Sequence, residues 1–131
     1  MKTRYSRLLL AFLFLILIVP QVGSSAPPKD GPHVEYYKNG QKEWEGHYKD
    51  GELDGLETGW YENGQKSYEV HWKDGKEDGL ATQWHENGQK KVEGHYKHGK
   101  QDGLWTAWEG SGYKRFETHY KDGEVISEKE F

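Results

Sequence analysis

The chain has 131 residues, with 18 Lys and Arg against 22 Asp and Glu, a net charge of −4, and no cysteine. That length fits one domain at most, and without cysteine no disulfide framework holds it, so it has to fold by packing alone. The negative balance argues against nucleic acid as a partner and against electrostatic capture by anionic lipid.

In chain order, the first element reads as a targeting segment. Lys2, Arg4 and Arg7 form a basic start, Leu8 to Val19 is an unbroken apolar run of 12 residues, Pro20 breaks it, and Gly23, Ser24, Ser25 and Ala26 follow. This is the order of parts in a secretory signal peptide. Residues 1–24 are therefore expected to be a signal helix, cut after Ser24 or Ser25. The run is short of the roughly 20 apolar residues a spanning helix needs, so membrane association is not expected after cleavage. No Cys follows it that would carry a lipid anchor. The expected location is periplasmic or extracellular. Removing the three cations leaves 15 Lys and Arg against 22 Asp and Glu.

Residues 25–33 read as a flexible Pro/Gly leader, and 34–131 as the folded domain. From Ser25 onward only 11 residues are Leu, Ile, Val or Phe, a composition typical of disorder. All six Trp and eight of the nine Tyr lie in the same stretch, however, at regular positions. Aromatics bury roughly 150–250 Å² each, enough to replace an aliphatic core.

The regularity is a repeat. Tyr-Lys-Asn-Gly-Gln-Lys at 37–42 returns at 61–66 and 85–90, with a degraded copy at 109–114. His-Tyr-Lys-Asp-Gly at 47–51 recurs at 71–75, 95–99 and 119–123, and Asp-Gly-Leu ends at Leu56, Leu80 and Leu104. Every spacing is 24. Each unit holds the two strongest short-range hairpin signals, Asn-Gly and Asp-Gly. The fold expected is all-β: a single-layer antiparallel β-meander of about eight short strands built from 24-residue hairpins, twisted or curled. A last edge strand or cap is expected over Glu124–Phe131, its charges discouraging edge-to-edge pairing.

Alternation of side chains then predicts sidedness. A three-residue Asn63-Gly64 loop pairs Trp60 with Lys66 and Thr58 with Tyr68, with Gly64 left-handed in a G1 bulge after a type I turn. The Lys73 to Gly79 connection is also odd in length. One face then collects Tyr36, Trp44, Tyr48, Trp60, Tyr68, Trp72, Trp84, Tyr96, Trp108, Phe116 and Tyr120, with Gly46 and Gly94 leaving room for rings.

These motifs resemble the bacterial MORN-repeat variant, whose carriers are commonly named YwqK-family antitoxins. The similarity covers residues 34–126 and rests on Asn-Gly-Gln-Lys followed by Tyr-Lys-Asp-Gly-x-x-Asp-Gly-Leu. It implies a β-meander repeat module and a link to toxin neutralisation, with no catalytic residues.

Three features bear on chemistry. His47, His71, His95 and His119 form a ladder, each two residues after a Glu. Successive copies lie two strands apart, about 9.5 Å, too far to share a zinc ion about 2 Å from each imidazole, so no metal is expected. The Asp-Gly-x-x-Asp-Gly loops offer two carboxylates, against the six to eight oxygens calcium takes, and read as turns. No nucleophile, phosphate loop or cofactor motif is present, and neither enzyme activity nor a cofactor is expected. What remains is an outward face expected to carry Tyr37, Tyr61, His85 and Trp105 beside the four ladder histidines. The expected function is an exported, non-catalytic module that binds a protein partner. The alternatives are an antitoxin or immunity-like role, and a membrane- or glycan-associated envelope protein.

Overall fold

The computed structural model describes residues 28–131, and the expected signal segment lies outside them. The described part is a single antiparallel sheet. Its strands are β1 (Gly31–Tyr36), β2 (Lys42–Lys49), β3 (Glu52–Leu53), β4 (Gly55–Trp60), β5 (Lys66–Lys73), β6 (Lys76–Trp84), β7 (Lys90–Lys97), β8 (Lys100–Trp108), β9 (Lys114–Lys121) and β10 (Glu124–Glu130). They follow one another in the sheet in chain order, with β3 paired to β2 off the main path, and the sheet does not close. The expected meander is present. It has ten strands rather than about eight because Asp54 divides one strand into β3 and β4, and β10 is the added edge strand.

The repeat begins earlier than expected. Gly31, Pro32 and His33 pair with Tyr48, His47 and Gly46, so they are strand and not flexible leader. The phase was visible in the sequence: Asp30-Gly31 stands 24 residues before Asp54-Gly55. Gly31, Gly55, Gly79 and Gly103 all take positive φ (115°, 108°, 121° and 81°), a conformation that costs glycine little and other residues much.

The Asn-Gly loops are the turns expected. Gly64 N donates to Tyr61 O at 2.9 Å, Tyr61 N donates to Gln65 O at 2.8 Å, and Gly64 has φ 84°. The Asp-Gly loops differ from the expected long connection. Asp74 and Gly75 both have positive φ (48° and 72°), and Lys73 pairs directly with Lys76. This is the two-residue type I′ hairpin, whose twist matches that of the strands.

Sidedness is where the sequence reading fails. Trp60 does pair with Lys66, but Tyr68 then pairs with Gly59, not Thr58, because Ser67 is bulged out of the ladder. Glu43, Lys91 and Arg115 are skipped at the equivalent places in the other hairpins. Side chains alternate with period two, so one extra residue moves a whole strand's set to the other face. Trp60 and Trp72 therefore lie on opposite faces. Tyr36, Trp60, Trp84 and Trp108 leave the expected aromatic face, and Glu57, Ala81 and Trp105 join it.

The resulting packed face sets large rings against small residues. Trp44 and Tyr68 both pair with Gly59, and Trp72 pairs with Gly55. A Cβ on Gly59 would lie 2.2 Å from Tyr68 Cε1, and one on Gly94 would lie 2.1 Å from Trp105 Cδ2. The central cluster is Val70, Ala81, Trp105 and Tyr120, flanked by Tyr68, Trp72, Val92 and Tyr96. Tyr96 and Tyr120 meet the Trp105 ring edge-on, with centroids 5.0 and 6.2 Å away. Such pairs add about 0.5–1.5 kcal/mol beyond the area they bury.

Candidate binding face

The opposite, open face carries three rows, each repeating once per hairpin, every two strands. The first is an alternation of lysine and aromatic ring. Lys42 lies over Trp60 at 5.4 Å, Lys66 over Trp84 at 5.9 Å, Lys90 over Trp108 at 5.9 Å, and Lys114 over Phe131 at 5.2 Å. Each of these lysines also pairs with the carboxylate three residues on: Glu45, Glu69, Glu93 and Glu117. The pairing raises the Lys42 ammonium above its ordinary value and lowers the Glu117 carboxyl, each mainly through the hydrogen bond it makes. Exposed pairs of this kind are screened by solvent and add little to stability.

The second row is a band of threonines under glutamates. Thr58, Thr82 and Thr106 are buried and pair with Glu69, Glu93 and Glu117. Thr82 Oγ1 donates to Glu93 Oε2 at 3.2 Å. The third row joins the histidine ladder to leucines. Leu56 pairs with His71, Leu80 with His95 and Leu104 with His119. The histidines are exposed, and Leu56, Leu80 and Leu104 keep 44%, 38% and 43% of their surface. Around His95 the row deepens into an open groove of about 700 Å³, lined by Leu80, Glu93, Leu104 and Thr106 among others.

The residues expected to form a binding face are only partly gathered here. His47, His71, His95 and His119 are exposed on the open face, as expected. Tyr37, Tyr61 and His85 instead hold successive hairpins together. Tyr37 Oη donates to Trp60 O and Tyr61 Oη to Trp84 O, both at 2.7 Å, and His85 Nε2 lies 3.0 Å from Trp108 O. Burial raises both phenols above their ordinary value. Trp105 is not outward at all. It is 1% exposed, at the centre of the packed face, with Nε1 donating to His95 O at 3.2 Å. The reading failed there for the same one-residue reason as the sidedness.

Glu57 was not singled out from the sequence. It is 2% exposed and accepts from Trp44 Nε1, Trp72 Nε1 and Tyr68 Oη. Burial, reinforced by this carboxylate, pushes the Tyr68 phenol far above its ordinary value. Nothing in the sequence marks Glu57, since Glu is almost never fully buried unless paired. Its partners come from strands on either side.

Among the described residues no group of three or more His, Cys, Asp or Glu could hold a metal ion. The loop aspartates serve the turns: Asp54 Oδ2 accepts from Asp74 N at 3.3 Å, and Asp78 Oδ2 from His98 N at 3.1 Å.

A sheet of stacked hairpins, each contacting its neighbours and presenting equivalent groups on one side, defines a repeat-type module. The MORN repeat variant pattern matches residues 29–50, 53–74 and 77–98, half of the chain, and the chain belongs to that family. The first match starts in phase with Asp30-Gly31. No curated protein matches the chain.

Proposed function

We propose that the protein is an exported, non-catalytic binding module whose open face docks a protein partner. The observation that carries this reading is the exposed row of His71, His95 and His119 beside Leu56, Leu80 and Leu104, repeated once per hairpin. Repeated equivalent groups suit an extended contact, whereas a catalytic site needs different groups converging on one point. Exposed apolar side chains in a regular row mark an interaction surface. Export follows from the basic start and apolar run of residues 2–19 and favours a partner outside the cytoplasm. The test is cross-linking capture from the source envelope or medium. The mature chain and a triple variant, His71, His95 and His119 each to Ala, are compared. A partner retained by the first and lost by the second supports the reading. A partner held equally by both moves the contact off this face, and no specific partner for either removes the reading.

A second reading, toxin neutralisation, rests on the resemblance of the repeat motifs to proteins commonly named YwqK-family antitoxins. An antitoxin ordinarily meets its toxin in the cytoplasm, which fits poorly with an export signal. Failure of the chain, expressed without residues 1–24, to rescue growth when co-expressed with candidate toxins from the same source would exclude this role.

A further inference from the structure

All three asparagines of the chain, Asn39, Asn63 and Asn87, are followed by glycine. This is the pairing in which a backbone nitrogen most easily attacks a side-chain amide, since glycine has no side chain to hinder it. All three lie at exposed turns. In the folded protein every reacting group is already engaged. Asn63 Oδ1 accepts from Gln65 N at 2.9 Å, and its Nδ2 donates to Glu86 O of the next hairpin at 3.1 Å. Gly64 N, the attacking atom, donates to Tyr61 O at 2.9 Å. The same three bonds recur around Asn39, with Gln41 N, Glu62 O and Tyr37 O. They recur again around Asn87, with Gln89 N, Gly110 O and His85 O.

We propose that Asn39, Asn63 and Asn87 are spontaneous deamidation sites gated by the hairpin staple, so that each records the opening of its own repeat. When a hairpin opens, the glycine nitrogen bonds to the asparagine Cγ. The Cγ–Nδ2 bond breaks, and nitrogen leaves as ammonia, taking up the proton from the glycine N–H. Water then opens the five-membered imide at either carbonyl, giving aspartate or isoaspartate. The change cannot be undone by refolding. Where Nδ2 donated to Glu86 O, a carboxylate oxygen now faces that carbonyl, and two acceptors repel. Isoaspartate also lengthens the turn by one backbone atom. Conversion at one site thus removes the staple to the next hairpin and favours further opening. The fourth copy has Ser111-Gly112, which has no amide to lose and cannot convert.

The experiment compares the folded mature chain with the same chain in urea, at mildly alkaline pH, with peptide mass spectrometry locating the amide-to-acid mass gain. In urea all three sites should convert at similar rates. In the folded chain each should convert more slowly, on the order of tenfold or more, because reaction waits on local opening. Protein carrying one converted site, separated by charge, should unfold at a lower urea concentration than unconverted protein. Equal rates in the folded and unfolded chain would overturn the gate. A singly converted protein with an unchanged urea midpoint would overturn the staple. Neither measurement depends on a variant that has to fold.

Discussion

Trp44 Nε1 donates to Glu57 Oε1 at 2.5 Å across adjacent strands, on the face packed with rings. Trp72 Nε1 binds the other oxygen at 2.6 Å, and Tyr68 Oη shares Oε1 at 3.1 Å. One carboxylate thereby ties β2, β4 and β5. Replacing it with an isosteric apolar group orphans three donors, each of which costs about 1–3 kcal/mol when buried and less where water reaches it. Glu57→Leu should lose about 2–4 kcal/mol of stability. Glu57→Gln, which keeps one acceptor, should lose about half as much. Urea unfolding followed by tryptophan fluorescence measures both, and an unchanged Leu variant would show that the hub contributes nothing.

The glycines of the packed face should be far less tolerant than Gly110, a loop glycine without a positive φ. Gly59→Ala and Gly94→Ala drive a methyl into the Tyr68 and Trp105 rings and should cost about 1–3 kcal/mol each through overpacking. Gly110→Ala meets nothing closer than 3.7 Å, without a positive φ, and should leave the urea midpoint where it is.

Thr118 supplies a prediction of opposite sign. It is 1% exposed, pairs with Trp105, and its Oγ1 has no hydrogen-bond partner. A buried hydroxyl without a partner costs about 1–3 kcal/mol. Thr118→Val keeps the shape and removes that cost, so the thermal midpoint should rise. A fall would mean that the hydroxyl is satisfied in solution.

Stability should also decline in alkali. Burial pushes the Tyr96 phenol up to about 12, with the Glu77 charge adding to it. In the unfolded chain the same group ionises near 10. A group whose folded value is raised contributes stability that is fully present below its unfolded value and lost as pH rises through the folded one. Stability attributable to Tyr96 should therefore be level below pH 10 and fall between about 10 and 12. Thermal midpoints across that range, compared with Tyr96→Phe, isolate its share. Parallel curves for the two proteins would remove Tyr96 as the cause.

The period and the Asn-Gly turns were legible in the sequence. The Asp-Gly turn, though marked by its glycine, is two residues long and not the expected Lys73 to Gly79 connection. Asn63-Gly64 and Asp74-Gly75 each carry the glycine that a positive φ requires. The 24-residue spacing placed every strand between them, including the histidine ladder that ends exposed. Even the early start at Gly31 was written in the phase of Asp30, masked only by the neighbouring prolines.

Which residues face which way was not legible. Whether Tyr68 pairs with Thr58 or with Gly59 turns on a single bulged residue, Ser67, whose type gives no sign of it. Both registers offer an apolar row, and only packing distinguishes them. In the observed one the Tyr68 ring covers Gly59, Glu57 finds its three donors, and Trp105 closes over Gly94. The sequence by itself thus determined a hairpin repeat and its Asn-Gly turns, because those depend on backbone preferences of neighbouring residues. The tertiary structure alone decided that Trp105 is core and that the open face belongs to Lys, Trp, Glu, His and Leu. Side-chain parity is set across strands, by contacts between residues that are distant along the chain.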